Sequence, residues 1–402
     1  MASASRAVLR GHPSNSAFGS VARPWSGALP PVGQRVEPGA APEAPPEFPG
    51  YRAFWVQSGT AALALAIRAA IQRRPDVAAP CVLLPAYGCP DLVAAALHAG
   101  ARPRLVDVVS DDPGFDLELL EAALGPDVVA IVAVAFLGIR ERLDAVGAIA
   151  ERVDAMLIED CAQWYPEPAT ALVADAVVLS FGRGKPVNLL GGGGLLLRDS
   201  GRTVGCGDPG SAVEPGRVVG TVSFGVRARI FDGLLDPVPY GLLRRIPALR
   251  LGETRFKSLQ GIHELDPIRR GLLASHVRSW LAHDRWRERA LCETLSAQPE
   301  LWVLPRALSE RAGRLLRLPV LFPDKESRDR ALRKLEADGL GGSAFYRLPL
   351  PRVADAPPCV AGQGPFAASK CFADRLLTLP IHARVGNVHV EAMIERIQAV
   401  FA

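Results

Sequence analysis

Between residues 51 and 198 the chain repeats one alternation that few folds accept. Short runs that are apolar almost throughout, "CVLLP", "VVAIVAVAF", "AMLIED" and "DAVVLSF", are separated by stretches with helical periodicity: "SGTAALALAIRAA", "DLVAAALHAG", "DLELLEAAL" and "LDAVGAIAERV". A half-exposed strand alternates apolar and polar residues, so runs without that alternation belong to strands covered on both faces. Strands of this kind interleaved with helices imply a mostly parallel sheet with helices over it, an α/β fold.

The flanking regions read differently. From Pro24 to Gly50, "PWSGALPPVGQRVEPGAAPEAPPEFPG" is so rich in proline and glycine that an extended arm laid on a surface is expected. After the alternating region, "FGVRARIFDGLLDPVPYGLLRRIPALR" (224–250) mixes Leu and Ile with Arg. Its prolines Pro237, Pro239 and Pro247 should break any long apolar face, which favours a helical connection between domains or at a dimer seam over a membrane-surface element. From about residue 251 the pattern becomes one long helix, "PIRRGLLASHVRSWLAHDRWRERALCETL", then short strands such as "LRLPVLFP". Two further helices follow, "DRALRKLEADG" and "NVHVEAMIERIQAVF". The expected organisation is an arm over 1–50, a large α/β domain over 51–250 and a smaller α+β domain over 251–402.

Charge and cysteine usage narrow the function classes. A formal charge of +4 over 402 residues, with the arginines dispersed, gives no reason to expect nucleic acid as a partner. Seven scattered cysteines without a CxxC pair fit reduced thiols rather than a metal centre or a disulfide framework. No apolar run reaches the roughly 18 to 20 residues that span a bilayer, and "MASASRAVLRGHPSNSAFGS" lacks the apolar core of a secretory signal. A soluble, cytoplasmic protein is expected.

Only five of the 46 basic residues are lysines, and the first of them along the chain is Lys185, in "SFGRGKPVNLLGGGG". A chain that uses arginine for charge and places a lysine among glycines after a buried strand invites the reading that this position needs an amine. A lysine can lose its proton and attack a carbonyl; an arginine stays protonated. A solvated or phosphate-binding loop lysine is the ordinary alternative. Ligands of such sheets gather at the carboxyl ends of the strands. Asp160 ends "AMLIED", Ser180 and Lys185 follow "DAVVL", and Ser58, Gly59 and Thr60 lie between "AFWVQ" and a helix. Singly, these are a loop-capping carboxylate, a strand-end hydroxyl and a helix cap. As a set they offer a phosphate cradle at a helix N-terminus, with Gly59, Thr60 and Ser180, together with an anion for a protonated ring nitrogen and an amine for an aldehyde. Phosphate, pyridinium and aldehyde are the three handles of pyridoxal 5′-phosphate.

The ordered series "SGTAAL", "PAYGCP", "VDV", "IEDCAQ", "SFGRGKPVNLLGGGG" and "LTLPIH" resembles the DegT/StrS-type sugar aminotransferases, within the type I fold of pyridoxal phosphate-dependent transferases. The resemblance implies Lys185 as the lysine that binds the cofactor covalently, Asp160 as the partner of the pyridine nitrogen, and Gln163 as a polar contact to the ring or its 3-hydroxyl. It implies Ser180, Gly59 and Thr60 at the phosphate, a homodimer, glutamate or glutamine as amino donor and a keto-sugar nucleotide as acceptor, in polysaccharide or secondary-metabolite sugar biosynthesis. It also places His382 of "LTLPIH" near the active-site mouth, where a structural role is equally open. Some family dehydratases carry histidine at the position of Lys185, and this chain does not. Three positions depart from the family pattern. Cys89 stands where many members have a ring-packing aromatic, "LGETRF" (251–256) keeps Arg255 without the usual asparagine, and "LLGGGG" replaces the common "GEGG" or "GDGG". The literal GxGxxG of "GCGDPG" (205–210) carries no nucleotide-binding expectation, because Pro209 and "SAVEPG" leave no helix to receive a pyrophosphate.

Overall fold

The computed structural model describes residues 27–203, 206–216, 219–246 and 252–402. In chain order the first elements are β1 (Tyr51–Val56), α1 (Gly59–Arg73), β2 (Cys81–Pro85), α2 (Asp91–Ala99), β3 (Arg102–Val106) and a short hairpin of β4 (Val108–Val109) and β5 (Asp112–Phe115). They continue with α3 (Leu117–Ala122), β6 (Val128–Val134), α4 (Leu143–Glu151), β7 (Met156–Asp160), β8 (Ala176–Ser180) and β9 (Gly193–Arg198). Seven of these strands form one sheet in the order β1-β9-β8-β7-β6-β2-β3. Strands β8, β7, β6, β2 and β3 pair in parallel, while β9 runs antiparallel to both β8 and β1. Six strands therefore end at the same edge, and only β9 returns. Both faces are covered: Val82, Leu84, Val132 and Ile158 pack under α1 and α2, while Leu83, Ile131, Leu157 and Val177 pack in a second core with α4. This is the layered reason why the strands read as unbroken apolar runs.

Beyond β9 come α5 (Thr221–Leu234), α6 (Pro237–Arg244), α7 (Pro267–Leu281) and α8 (Trp286–Leu295), then β10 (Trp302–Val303), β11 (Arg317–Leu321) and β12 (Leu376–Pro380). The last three strands form an antiparallel sheet in the order β10-β11-β12. Helices Lys325–Ala337 and Asn387–Gln398 contribute to its core, which Tyr87, Phe136 and Ile139 of the first region join. Leu272, Leu273 and Val277 of α7 pack with the large sheet instead.

The single long helix expected over 267–295 is two helices. Arg314 donates to the carbonyls of Leu281 (2.8 Å) and His283 (2.5 Å), and Asp284 Oδ1 accepts from Trp286 N–H (2.8 Å), so side chains terminate α7 and start α8. The prolines of 224–250 interrupt the segment as expected: α5 ends at Leu234, and Pro237 and Pro239 open α6, where the missing N–H costs nothing, while Pro247 lies outside the described residues. The outer side of α5 leaves Val222, Val226, Ile230 and Leu234 exposed at four-residue intervals. From residue 27 the Pro/Gly-rich arm is pinned along its length. Ala28 N–H donates to Pro237 O (2.8 Å), Leu29 N–H to Gly339 O (2.7 Å), Glu37 N–H to His276 Nε2 (3.0 Å) and Glu43 N–H to Gly271 O (2.9 Å). Its first 26 residues lie outside the described ones.

Candidate active site

Because six strands end at one edge, the residues that close them share one space. Gly59, Thr60, Cys89, Asp91, Phe136, Asp160, Gln163, Ser180 and Lys185 line a cradle of about 50 Å³. All six residues singled out from sequence, Gly59, Thr60, Asp160, Gln163, Ser180 and Lys185, are therefore brought together. The cradle shares Cys89, Asp91, Gln163 and Lys185 with a larger cavity of about 720 Å³, whose walls also include Arg183, Arg255, Arg317, Phe345 and Tyr346. A third space of about 480 Å³, lined by Tyr240, Arg244 and Arg347, shares Glu253, Thr254 and Tyr346 with the second. Adjoining walls thus lead from Lys185 outward.

Helix α1 begins at the cradle. Ser58 is its N-cap, with Oγ accepting from Ala61 N–H at 3.1 Å, so the next residues present their own N–H groups at the helix start. The approach of α1 to β8 leaves no room for a side chain at Gly59: a methyl there would lie 2.7 Å from Ser180 Cβ and 2.8 Å from its Oγ. A second glycine, Gly193 of β9, faces the same turn, where a methyl would meet the carbonyl carbon and oxygen of Ser58 at 2.4 Å. The sequence needs glycine at both positions because backbone, not side chain, builds this wall.

Asp160 closes β7 and is 7% exposed. Its Oδ1 accepts from Ala162 N–H at 2.9 Å, and no donor among the described residues serves Oδ2. Burial raises its pKa from the ordinary carboxylate value, against the opposing pull of the Ala162 N–H and the Lys185 ammonium. A buried carboxylate with one oxygen unserved suits a protonated ring nitrogen. Gln163 is fixed at both ends: Oε1 accepts from Leu137 N–H (3.2 Å) and Nε2 donates to the Tyr346 hydroxyl (3.3 Å).

Lys185 stands on a loop that returns to its own start. Phe181 O accepts from Leu189 N–H (2.9 Å) and Gly191 N–H (3.1 Å), and Phe181 N–H donates to Gly192 O (2.8 Å). Gly192, at φ +111°, could not be replaced without strain, and Asn188 ties the loop to the arm by donating to Gln34 O at 3.0 Å. The arm also supplies Val32 to the wall of the larger cavity.

Cys89 occupies the cradle wall where the resemblance leads one to expect an aromatic, and burial pushes its thiol up to about 12. The aromatic in the cradle is instead Phe136, just past the end of β6, edge-on to Tyr87 at 5.4 Å between ring centres. His382 does not line the cradle. It is 3% exposed, its Nε2 lies 2.8 Å from Pro30 O and its Nδ1 accepts from Arg384 N–H at 3.3 Å, so it holds the arm. Sequence reading missed Phe136, Tyr346 and Arg317. Phe136 follows a strand end, a usable signal. Tyr346 and Arg317 come from the smaller sheet region and carry no local pattern that announces a site.

The donor set fits pyridoxal 5′-phosphate: a side-chain-free helix start with two hydroxyls for a phosphate, an unserved buried carboxylate for a ring nitrogen, and an amine on the same wall. Among the described residues no group of His, Cys, Asp and Glu is arranged to hold a metal ion, and no helix is long and apolar enough to cross a membrane. All seven cysteines are free thiols.

Comparison with known proteins agrees with this reading. Residues 51–205 match the DegT/DnrJ/EryC1/StrS aminotransferase family. The chain is 33% identical over 159 residues to a dTDP-3-amino-3,4,6-trideoxy-alpha-D-glucose transaminase of Micromonospora megalomicea subsp. nigra, a match covering 37% of this chain and 40% of that one. It is 34% identical over 102 residues to a UDP-2-acetamido-2-deoxy-3-oxo-D-glucuronate aminotransferase of Pseudomonas aeruginosa, covering 24% of this chain and 28% of that one. The matches thus span less than half the length of these relatives. The fold likeness is broader. The pyridoxal phosphate form of Spr1654 of Streptococcus pneumoniae superposes with a TM-score of 0.62 over 87% of this chain and 86% of its own, at 17% identity. The fold is the type I fold of pyridoxal phosphate-dependent transferases.

Proposed function

We propose that this chain, whose residues 51–205 carry the DegT/DnrJ/EryC1/StrS aminotransferase signature, is a pyridoxal phosphate-dependent sugar aminotransferase. It takes an amino group from an amino acid, glutamate or glutamine, and passes it to a keto-sugar nucleotide. The observation that carries this is the convergence of Lys185, Asp160, Ser180 and the α1 start on one cradle, continuous with a cavity large enough for a sugar. Relatives that act on dTDP- and UDP-linked sugars support the acceptor class.

The cofactor, when bound, supplies a carbonyl carbon for amine exchange and a ring that withdraws electrons. The N–H groups of Gly59 and Thr60, with the Thr60 and Ser180 hydroxyls, hold its phosphate. Asp160 holds a proton on the ring nitrogen, and that cation in turn favours the ionised form that burial alone opposes. Gln163, fixed by Leu137 and Tyr346, keeps a polar group against the ring. Lys185 Nζ would be the amine that holds the cofactor and, once freed by a donor, would move the proton of the donor Cα as general base and acid. Phe136, Leu63 and Leu92 put apolar groups on the cradle wall, which would keep water from a bound ring. A cytoplasmic homodimer completes the reading, with the exposed apolar row of α5 in support of self-association.

The test is single-turnover chemistry. Glutamate or glutamine alone converts the bound cofactor to its amine form and releases one keto acid per site, and a 3-keto or 4-keto sugar nucleotide then restores it. A dehydratase or a binding module would not cycle in this way. Failure of every common amino donor, with the cofactor still attached to Lys185, would leave the cofactor assignment standing and remove the aminotransferase.

A further inference from the structure

The wall of the cavity beside Lys185 contains a cation that no carboxylate among the described residues neutralises. Arg317, the first residue of β11, is 8% exposed, and its Nε is buried without a hydrogen-bond partner. No carboxylate among the described residues pairs with it; the guanidinium carbon lies instead over the face of Phe345, 4.4 Å from the ring centre. The other cationic residues of the wall differ. Arg255 pairs with Asp355 at 2.9 Å, while Arg183 and Lys257 are exposed. Burial lowers the Arg317 pKa to about 10, against the opposing pull of the Tyr346 and Tyr240 hydroxyls, so the group stays charged at neutral pH. A buried unpaired charge costs several kcal/mol and persists where a ligand supplies the opposite charge.

We infer that Arg317 binds the carboxylate of the amino donor. This rests on the aminotransferase reading and names the residue that serves its first half. The donor Cα must reach the carbonyl carbon that Lys185 serves, and its carboxylate is one bond away, inside the cavity that Lys185 and Arg317 both line. A guanidinium presents a planar fork that matches a carboxylate with two parallel hydrogen bonds. The Phe345 ring under the guanidinium fixes that plane without competing for its donors. A nucleotide diphosphate is at least a sugar ring further out, where the third cavity offers Arg244 and Arg347.

The experiment uses the cofactor-loaded enzyme and two probes, glutarate, which carries the carboxylates of glutamate without its amine, and inorganic pyrophosphate. Calorimetric titration is done on the wild type, Arg317→Met and Arg317→Lys. Glutarate should bind the wild type, lose about 10- to 100-fold in affinity in Arg317→Met and recover part of it in Arg317→Lys, with pyrophosphate affinity unchanged. Removing an unpaired buried charge should also raise the melting temperature of Arg317→Met above wild type without ligand, and glutarate should narrow that gap; a merely structural arginine would give a lower melting temperature. Glutarate affinity within twofold across the three proteins overturns the inference, as does a loss confined to pyrophosphate, which would move the anion to the acceptor. Glutamate consumption with Arg317-independent glutarate binding overturns this inference alone. Arg317-dependent glutarate binding with no amine transfer would remove the aminotransferase reading, and the donor assignment with it.

Discussion

His382 makes the docking of the arm sensitive to acid, and the size of the effect follows from its surroundings. The ring is 3% exposed, and both nitrogens are engaged in the neutral form: Nε2–H donates to Pro30 O, and Nδ1 accepts from Arg384 N–H. A second proton would have to go on Nδ1, breaking the Arg384 contact and adding a cation beside Arg384, Arg287 and His283. Burial is the largest cause, and with the Arg384 and Arg287 cations it brings the pKa down to about 3. The folded value is depressed below the unfolded value of about 6.5, so the unfolded chain binds more protons below that pH. The stability that neutral His382 contributes is therefore complete above pH 6.5 and is lost as pH falls toward 3. Between pH 7.5 and 5.0 the loss is about 2 kcal/mol. His382→Gln keeps a donor for Pro30 O and cannot titrate, so its stability should fall about 2 kcal/mol less than that of the wild type over the same interval. Urea unfolding at both pH values measures this, and hydrogen exchange at Leu29, whose N–H donates to Gly339 O, locates it in the arm. Equal pH dependence in the two proteins would refute the argument.

Three further outcomes follow from the cradle. Asp160→Asn removes a carboxylate whose pKa burial raises, so the cofactor-free wild type should lose stability relative to the variant as pH rises through the carboxylate range; melting curves from pH 4 to 7 that stay parallel would contradict this. With cofactor the order reverses, and the variant should slow proton removal from the donor by orders of magnitude in stopped-flow half-reactions. Gly59→Ala places a methyl 2.7 Å from Ser180 Cβ, and should weaken cofactor affinity at least about tenfold by fluorescence titration while leaving the far-UV spectrum unchanged. Cys89, its thiol pushed up to about 12, should resist iodoacetamide at pH 8 while the exposed Cys359 and Cys371 react, as peptide mapping will show.

The parts of this protein that could be read from its sequence are those set by local rules. Strands covered on both faces must be apolar throughout, so β2, β6, β7 and β8 announced themselves, and with them the edge at which Asp160, Ser180 and Lys185 fall. Gly59 and Thr60 were legible because a helix start next to a strand end has a capping grammar. The break between α7 and α8 was not, since Arg314 makes it from a distant loop. Nor was the role of His382, which depends on Pro30 at the other end of the chain. Arg317 sits in a strand that reads as ordinary core; only the cavity beside it reveals that its charge lacks a partner among the described residues.

The central claim is that Lys185 is the amine that holds pyridoxal phosphate. Purified protein supplied with the cofactor should show the visible absorbance of a lysine-linked cofactor, and borohydride should fix the label on the peptide that contains Lys185. Lys185→Arg, which keeps the charge but cannot make the bond, should show neither. A label found on Lys257, the other lysine on the cavity wall, or on no lysine at all, would contradict the account.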